Sequence, residues 1–410
     1  MSHGRCLLAL DLGTTTLAGR LLDADGRMRA QARLLNPQVV MGTDIMRRLE
    51  KALAGDGCRL QALLRDGLME LIGSLLRQAG LQTADIAGAA AAGNPGMVYL
   101  LRCLPVDSIL FPPHRPSCRE AVYLSGEQLD LGLSVPLYLF PLVSGYVGGD
   151  LVAFLYAQTD VPENSFFLDA GTNGEMALYA SGHWRVTSVA AGPAFEGGDI
   201  SCGMIAQTGA ISDVCVVEDA LRLTVIGGGV PRGVCGSGLA AILAAALDGG
   251  LIDGHGTIVD PLAVPTNLSR YIVETPRGRA LRLYRDAVVD VLIAQQDVRN
   301  FQLAKAAVHA GTECLLQRAG LESSAVEQVT LTGAFGFSMS RQVLKRVAML
   351  PVNMVDKVRF AEAGVLAGVG KLLLDARGPE HAQRLAAALQ PLPLSGTPAF
   401  EKAFINAMDF

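Results

Sequence analysis

Several features are missing from this sequence, and each absence removes a class of protein. No run of about 18 apolar residues occurs, so no membrane-spanning helix is expected. The nearest approach, VPLYLFPLV at 135–143, is broken by Pro136 and Pro141. Asp11 interrupts the only apolar stretch near the start before it could serve as a signal peptide. Basic blocks are absent and the net charge is −5, which argues against nucleic acid as a partner. No CxxC occurs among the eight scattered cysteines. Without a leader, the chain is expected to be cytoplasmic and its thiols reduced, most of them as small buried hydrophobes. No local four-cysteine iron–sulfur or zinc site can be written from their spacing. The six histidines have no metal-ligand spacing. GxxxxGK[ST], HExxH and GxSxG are all absent. Residues 236–241 fit a loose GxGxxA dinucleotide pattern, but the GGGVPRGVC before them does not read as a strand. Charge is sparse, 18% of residues against 50% apolar, so a large packed core is expected. A chain of 410 residues has room for two or more domains.

What is present is a polar turn that occurs twice. CLLALDLGTTTLAGRLLD, 6–23, reads as a strand, a tight turn and a second strand, with Leu8, Leu10 and Leu12 on one face. Gly13 admits a close approach to the main chain, and three threonine hydroxyls follow Asp11 within the turn. Taken alone, such a turn is an ordinary hairpin with an acid in it. FFLDAGTNGEMALY, 166–179, repeats it: Asp169, Gly171 and Thr172 stand at the offsets of Asp11, Gly13 and Thr14. An internal repeat predicts two related α/β lobes, about 1–160 and 161–410, each presenting a hairpin to a shared cleft. The amides and hydroxyls of Gly13, Thr14 and Thr15, and of Gly171, Thr172, Asn173 and Gly174, suit phosphate oxygens. Asp11 and Asp169 brought together need a cation, and Mg²⁺ fits few carboxylates and several waters. One carboxylate can then orient an attacking water while the metal offsets charge.

Other segments fit a nucleotide cleft. LVSGYVGGD ends at Asp150, ahead of the helix-compatible LVAFLYA, and VTLTGAFGFS carries Gly333 and Gly336 where a base or ribose could lie. EAGVLAGVGKLLL, 362–374, reads as a small-residue helix able to pack closely. Helices are also expected over 61–80 and 297–320, each stopped by glycine. The proline-rich 104–116 reads as a loop, and 254–290 carries no clear pattern.

In this order, DLGTTT, GYVGGD, DAGTNGE and LTGAFG resemble the phosphate, connecting and adenosine elements of the ASKHA superfamily. That resemblance implies duplicated ribonuclease-H-like lobes around a nucleotide cleft. Closer still, NPQVVMGTDIMRRL, AAGNPGM, AAGPAFEGGDISCGM, GVCGSGL and QDVRNFQLAKAAVHAG resemble the ATPase domain of the reductive activators of corrinoid proteins. The likeness implies ATP and Mg²⁺ as ligands, ATP contacts at Asp11, Thr14, Thr15, Asp169, Thr172 and Asn173, and Gly333 and Gly336 near the nucleoside. It also implies a homodimer, Glu196 and Asp199 near the cleft, and a corrinoid protein or cobalamin-dependent methyltransferase as partner. Such activators carry a ferredoxin-like [2Fe–2S] domain, whose C-x₄-C-x₂-C run is not found here. Either the sequence is part of a longer protein, or a separate low-potential donor supplies the electron, and no iron–sulfur cluster is expected in this chain. Two alternatives stay open. One is a small-molecule kinase with Asp150 or Glu196 as base. The other is an activator of the 2-hydroxyacyl-CoA dehydratase type, with Cys202 and Cys235 sharing an intersubunit [4Fe–4S] cluster.

Overall fold

A computed structural model describes residues 5–333, 339–362 and 364–410. Two compact units emerge, and neither is one continuous stretch. Unit 1 combines Met1–Glu163, Tyr179–Thr187 and Ala363–Leu392; unit 2 combines Asn164–Leu178, Ser188–Glu362 and Pro393–Phe410.

Unit 1 is built on β1 (Cys6–Leu12), β2 (Thr16–Leu22), β3 (Met28–Leu35), β4 (Ile86–Gly93), β5 (Val122–Leu124) and β6 (Leu137–Leu139), in the order β3-β2-β1-β4-β6-β5. The first three form an antiparallel meander; β4 lies parallel to β1, and β6 parallel to β4. Leu8, Leu10 and Leu12 of β1 are fully buried, and so are Leu17 and Leu21 of β2. Each such side chain contributes roughly 1.5–3 kcal/mol through removal from water. The helices are α1 (Ile45–Lys51), α2 (Gly57–Ala79), α3 (Pro95–Leu101), α4 (Asp107–Leu110), α5 (Gly126–Leu129) and α6 (Gly149–Ala157). The stripe Leu60, Leu64, Leu68, Leu71, Ile72 and Leu75 is buried, and α2 ends at Gly80 with φ 66°, a backbone region glycine enters without penalty. Leu75 comes so close to β2 that a Cβ on Gly19 would lie 2.9 Å from it.

The scheme recurs in a second six-stranded sheet. The sheet contains β7 (Ser165–Ala170), β8 (Asn173–Ala180) and β9 (His183–Ala190). Two three-stranded sheets follow in the chain: β10 (Ala210–Val217), β11 (Ala220–Val225) and β12 (Gly233–Val234), then β13 (Ile272–Thr275), β14 (Gly278–Arg285) and β15 (Asp290–Ala294). The six-stranded sheet is completed by β16 (Gln328–Gly333), β17 (Val358–Phe360) and β18 (Leu389–Pro391), in the order β17-β16-β7-β8-β9-β18; β7, β16 and β17 belong to unit 2, whereas β18 and most of β9 fall in the segments of unit 1. β16 is parallel to β7 and β17 to β16. A meander of three strands followed by two parallel additions on its first strand therefore occurs twice. The helices here are α7 (Gly236–Asp248), α8 (Gln295–Ala319), α9 (Arg341–Arg346) and α10 (Val352–Val355).

Three later helices divide between the units: α11 (Gly364–Leu374) and α12 (Gly378–Ala388) belong to unit 1, α13 (Pro398–Asn406) to unit 2. As its small residues predict, α11 packs tightly; a Cβ on Gly368 would lie 1.7 Å from Ala153 O of α6. Residues 254–290, patternless in sequence, contribute β13 and β14; in β14 Ala280, Leu281 and Leu283 are buried, while Arg279 and Arg282 are half-buried in ion pairs with Asp260, Glu274 and Asp290. The stretch 104–116 contains α4 within an otherwise irregular path. The cysteines depart from expectation: Cys6, Cys235 and Cys314 are buried, whereas Cys58, Cys103 and Cys215 are exposed on helix ends and a strand. No helix among the described residues is long and apolar enough to cross a membrane.

Candidate functional site

The first hairpin caps β1 and β2. Asp11 stands beside Ala18 of β2 and Ala92 of β4, and keeps partial exposure although its strand is buried. A Cβ on Gly13 would lie 2.2 Å from Thr16 O, so the turn closes only around glycine. Two buried asparagines brace it. Asn36 Nδ2 donates to Gly13 O (2.9 Å), and Asn36 N donates to Thr15 O (2.8 Å). Asn94 Nδ2 donates to Thr14 Oγ1 (2.9 Å). Each asparagine is also a helix N-cap followed by proline: Asn36 Oδ1 accepts from Gln38 N, and Asn94 Oδ1 accepts from Met97 N at the start of α3. The side chain thus fixes a helix start with its oxygen and the hairpin with its amide. Neither asparagine was singled out as a site residue from sequence, though two Asn-Pro dipeptides were the available signal.

The glycine loop 145–149 comes to the same end of the sheet. A Cβ on Gly148 would lie 2.5 Å from Asn94 Cα and 2.6 Å from Gly93 O. Asp150 follows in the first turn of α6, where Leu151 N donates to its Oδ1 (2.8 Å). Burial pushes its carboxyl up to about 6, against the pull of those backbone donors.

The second hairpin joins β7 to β8 through Gly171 and Thr172. Its brace is of opposite character. Thr172 N (3.0 Å) and Thr172 Oγ1 (3.3 Å) both donate to Glu196 Oε1. The carboxylate also stands 3.0 Å from where a Cβ on Gly171 would be. Glu196 ends a short 3₁₀ turn, Pro193–Glu196, between Gly192 and Gly197, both at φ 80°. Gly192 N donates to Thr172 O (2.8 Å), and the fully buried Phe195 packs edge-on against Phe301 of α8 at 5.7 Å. One residue of the turn is therefore anchored in the core while its neighbour meets the hairpin. The loop beyond is tied to α8 as well: Ser201 N and Oγ donate to Asp297 Oδ1 (2.8 and 3.1 Å), and Asn300 Nδ2 donates to Asp199 O (2.6 Å).

Asp169 lies opposite Thr332 in the β7–β16 pair, and Gly333 closes β16 with φ 101°. A Cβ there would stand 2.5 Å from Asp169 Oδ1 and 2.5 Å from Ala170 O, so the strand end can approach the carboxylate only as glycine. Asn173 is half-buried at the start of β8. Gly174 instead faces the interior, where its Cβ would meet Val189 and Val308. Gly336 lies outside the described residues.

The structure thus groups Asp11, Gly13, Thr14, Thr15 and the Gly148–Asp150 turn in unit 1, and Asp169, Gly171, Thr172, Asn173, Glu196 and Gly333 in unit 2. Other sequence candidates have structural duties. Cβ atoms on Gly236 and Gly238, the loose dinucleotide pattern, would lie 1.7 Å from Phe195 O and 2.0 Å from Ile211 O. Cys202 Sγ donates to Leu292 O (3.0 Å), its thiol pushed up to about 12 by burial and then by Asp297. Cys235 Sγ donates to Ile211 O (3.3 Å).

Twin sheets, each opening on the same acidic hairpin, define an ASKHA fold. Residues 6–159 match the model of the RACo middle region, and residues 163–410 match that of the C-terminal domain of RACo, the ASKHA domain. The chain belongs to this family. It is 30% identical over 377 residues to the corrinoid activation enzyme RamQ of Eubacterium limosum, covering 89% of this chain and 63% of that protein. It is 24% identical over 398 residues to the [Co(II) methylated amine-specific corrinoid protein] reductase of Methanosarcina barkeri, covering 87% and 68%. A solved reductive activator for corrinoid,iron-sulfur protein superposes with a TM-score of 0.93 at 29% identity, covering 100% of this chain and 67% of that one. The chain therefore spans about two thirds of the length of these relatives.

Proposed function

We propose that this chain binds and hydrolyses ATP with Mg²⁺ and couples that cycle to reductive reactivation of a corrinoid protein, Co(II) to Co(I). One observation carries the reading. In a chain related to a corrinoid activation enzyme, the same acid–glycine–threonine hairpin ends the first strand of both sheets, with hydroxyls and amides beside a half-exposed carboxylate. Hard oxygen donors of this kind suit Mg²⁺, and Asp11 and Asp169 would hold it. The ion, when bound, offsets phosphate charge during transfer.

The chain's own residues do the rest. Gly13, Thr14 and Thr15, and Gly171, Thr172 and Asn173, hold phosphate oxygens through amides and hydroxyls. Asn36 and Asn94 keep the first hairpin in shape. Glu196 must release Thr172 before a phosphate oxygen can accept the same two hydrogens. Asp150, with its pKa raised to about 6, is suited to receive a proton from an attacking water near neutral pH. Gly333 gives the nucleoside room; Gly336, outside the described residues, is proposed beside it only through the family resemblance.

ATP acts by favouring a conformation that binds the Co(II) partner better. Each tenfold preference moves a one-electron potential by about 59 mV, so a separate low-potential donor is part of the proposal. So are a homodimer and a cytoplasmic location. An anaerobic ATPase assay with corrinoid proteins, paired with capture of the partner, tests it. Capture of the Co(II) form but not the methyl-Co(III) form is expected. Indifference to cobalt state sinks the coupling, and strong stimulation of ATP turnover by a sugar or carboxylate would favour a small-molecule kinase instead.

A further inference from the structure

Cys58 and Cys103 are two of the exposed cysteines, and their Sγ atoms stand 3.4 Å apart within unit 1. Among the described residues no other pair of thiols comes within hydrogen-bonding distance of each other. Cys58 lies in the first turn of α2; Cys103 lies just beyond α3. The backbone at Cys103 is left-handed, φ 48°, in a turn where Cys103 N donates to Leu100 O (3.3 Å) and Leu104 N donates to Tyr99 O (3.0 Å). That is the helix-ending position where glycine is the low-strain choice. A cysteine there accepts backbone strain and in return sets a thiol against a second thiol.

From this geometry we infer that Cys58 and Cys103 form a reversible dithiol–disulfide pair, a redox modification site on the surface of unit 1. Closure needs the sulfurs to approach by about 1.4 Å, from contact to a bond of about 2.05 Å. The chain before Cys58 can supply that movement. It is a π-helical turn, Ala52–Asp56, with Gly55 at φ 109° and no atom within 4 Å of where a Cβ on it would lie. An open hollow of about 340 Å³, lined by Gly55, Gly57, Cys58, Tyr99, Cys103 and Asp107, admits a small reagent to both sulfurs.

The oxidant is a low-molecular-weight disulfide. One cysteine thiolate attacks a sulfur of that disulfide, forming a mixed disulfide and expelling one small thiolate. The second cysteine thiolate then attacks the protein sulfur of the mixed disulfide, closing Cys58–Cys103 and expelling the other small thiolate. Two protein thiols lose two electrons, their two protons pass to the expelled thiolates, and the small disulfide is reduced to two thiols.

The test uses the folded chain and glutathione disulfide, followed by alkylation and peptide mapping. Wild type is expected to yield one internal cross-link joining residues 58 and 103, lighter by two hydrogens and reopened by dithiothreitol. Cys58→Ser and Cys103→Ser should each trap a stable glutathione adduct on the remaining cysteine, at least tenfold above wild type. Cys215→Ser should leave the cross-link unchanged. Stable adducts on both cysteines of wild type, or free alkylation of both after equilibration, would overturn the pair. The proposal stands or falls independently of ATP turnover or corrinoid binding.

Discussion

The two hairpins share a motif and a place in their sheets, yet their braces have opposite electrostatic character. The first is held by neutral amide donors: Asn36 and Asn94 give hydrogens to its carbonyls and to the Thr14 hydroxyl. The second is held by an anion, with Glu196 taking hydrogens from the amide and hydroxyl of Thr172. On the proposed function, a phosphate arriving at the first hairpin would meet a turn whose shape is already set. At the second, it would meet a carboxylate already accepting the hydrogens it needs. The same short sequence can thus be held by neutral donors or by a carboxylate, depending on which side chain the rest of the fold delivers to it.

The largest expected effect tests whether the hairpins serve one nucleotide. Asp11→Asn and Asp169→Asn should each lower ATP turnover by roughly 10²-fold or more, because each removes charge proposed to handle metal and phosphate. Full activity in either variant would break the equivalence of the two motifs. Next comes Gly333→Ala, which places a Cβ 2.5 Å from Asp169 Oδ1 at φ 101°. It should destabilise unit 2 by about 2–4 kcal/mol, from left-handed strain and overpacking, read by urea unfolding.

A smaller pair of effects separates the braces. Asn36 is fully buried, so Asn36→Ala should cost about 1–3 kcal/mol, by leaving Gly13 O and Gln38 N without their partner. Glu196→Gln keeps an acceptor near Thr172 but removes its charge. It should tighten ATP binding, by about 3–10-fold in calorimetry, as competition with phosphate weakens. Weaker binding would contradict gating.

The smallest effect is a pH slope. Asp150 titrates in the folded protein at about 6, above its ordinary carboxylate value, so between those limits the native state holds more protons than the unfolded chain. Stability contributed by Asp150 therefore falls as pH rises through that window. Asp150→Asn should flatten the dependence and be the more stable protein above pH 6, measured by thermal midpoints at pH 4.5 and 7.5. A parallel pH profile in both proteins would mean Asp150 is not displaced upward.

Much of the site was legible because it is local. Asp11, Gly13 and Thr14, like Asp169, Gly171 and Thr172, sit within four consecutive residues, and alternating apolar residues on both sides announce the strands. The long helices were legible for the same reason: leucines at helical spacing and a closing glycine bracket α2, and Gly320, at φ 65°, closes α8. The braces were not legible, since Asn36 is 23 residues from the carbonyl it binds and Asn94 is 80 residues from Thr14. Glu196 was marked through likeness to a family and as a base in the kinase alternative, without its partner Thr172. The cysteines misled for a different reason. Composition alone favours burial of a small thiol, whereas the helix ends carrying Cys58 and Cys103 happen to lie on the surface.

By itself the sequence determined the repeated strand–turn–strand units and the tightest glycine positions, because those depend on backbone sterics and on apolar alternation over a few residues. Tertiary structure decided the rest. It returned α11 from the far end of the chain to pack against α6, set two sulfurs side by side, and supplied amides to one hairpin and a carboxylate to the other. Those outcomes depend on contacts between residues tens to hundreds of positions apart, and short-range pattern holds no record of which distant side chain will arrive.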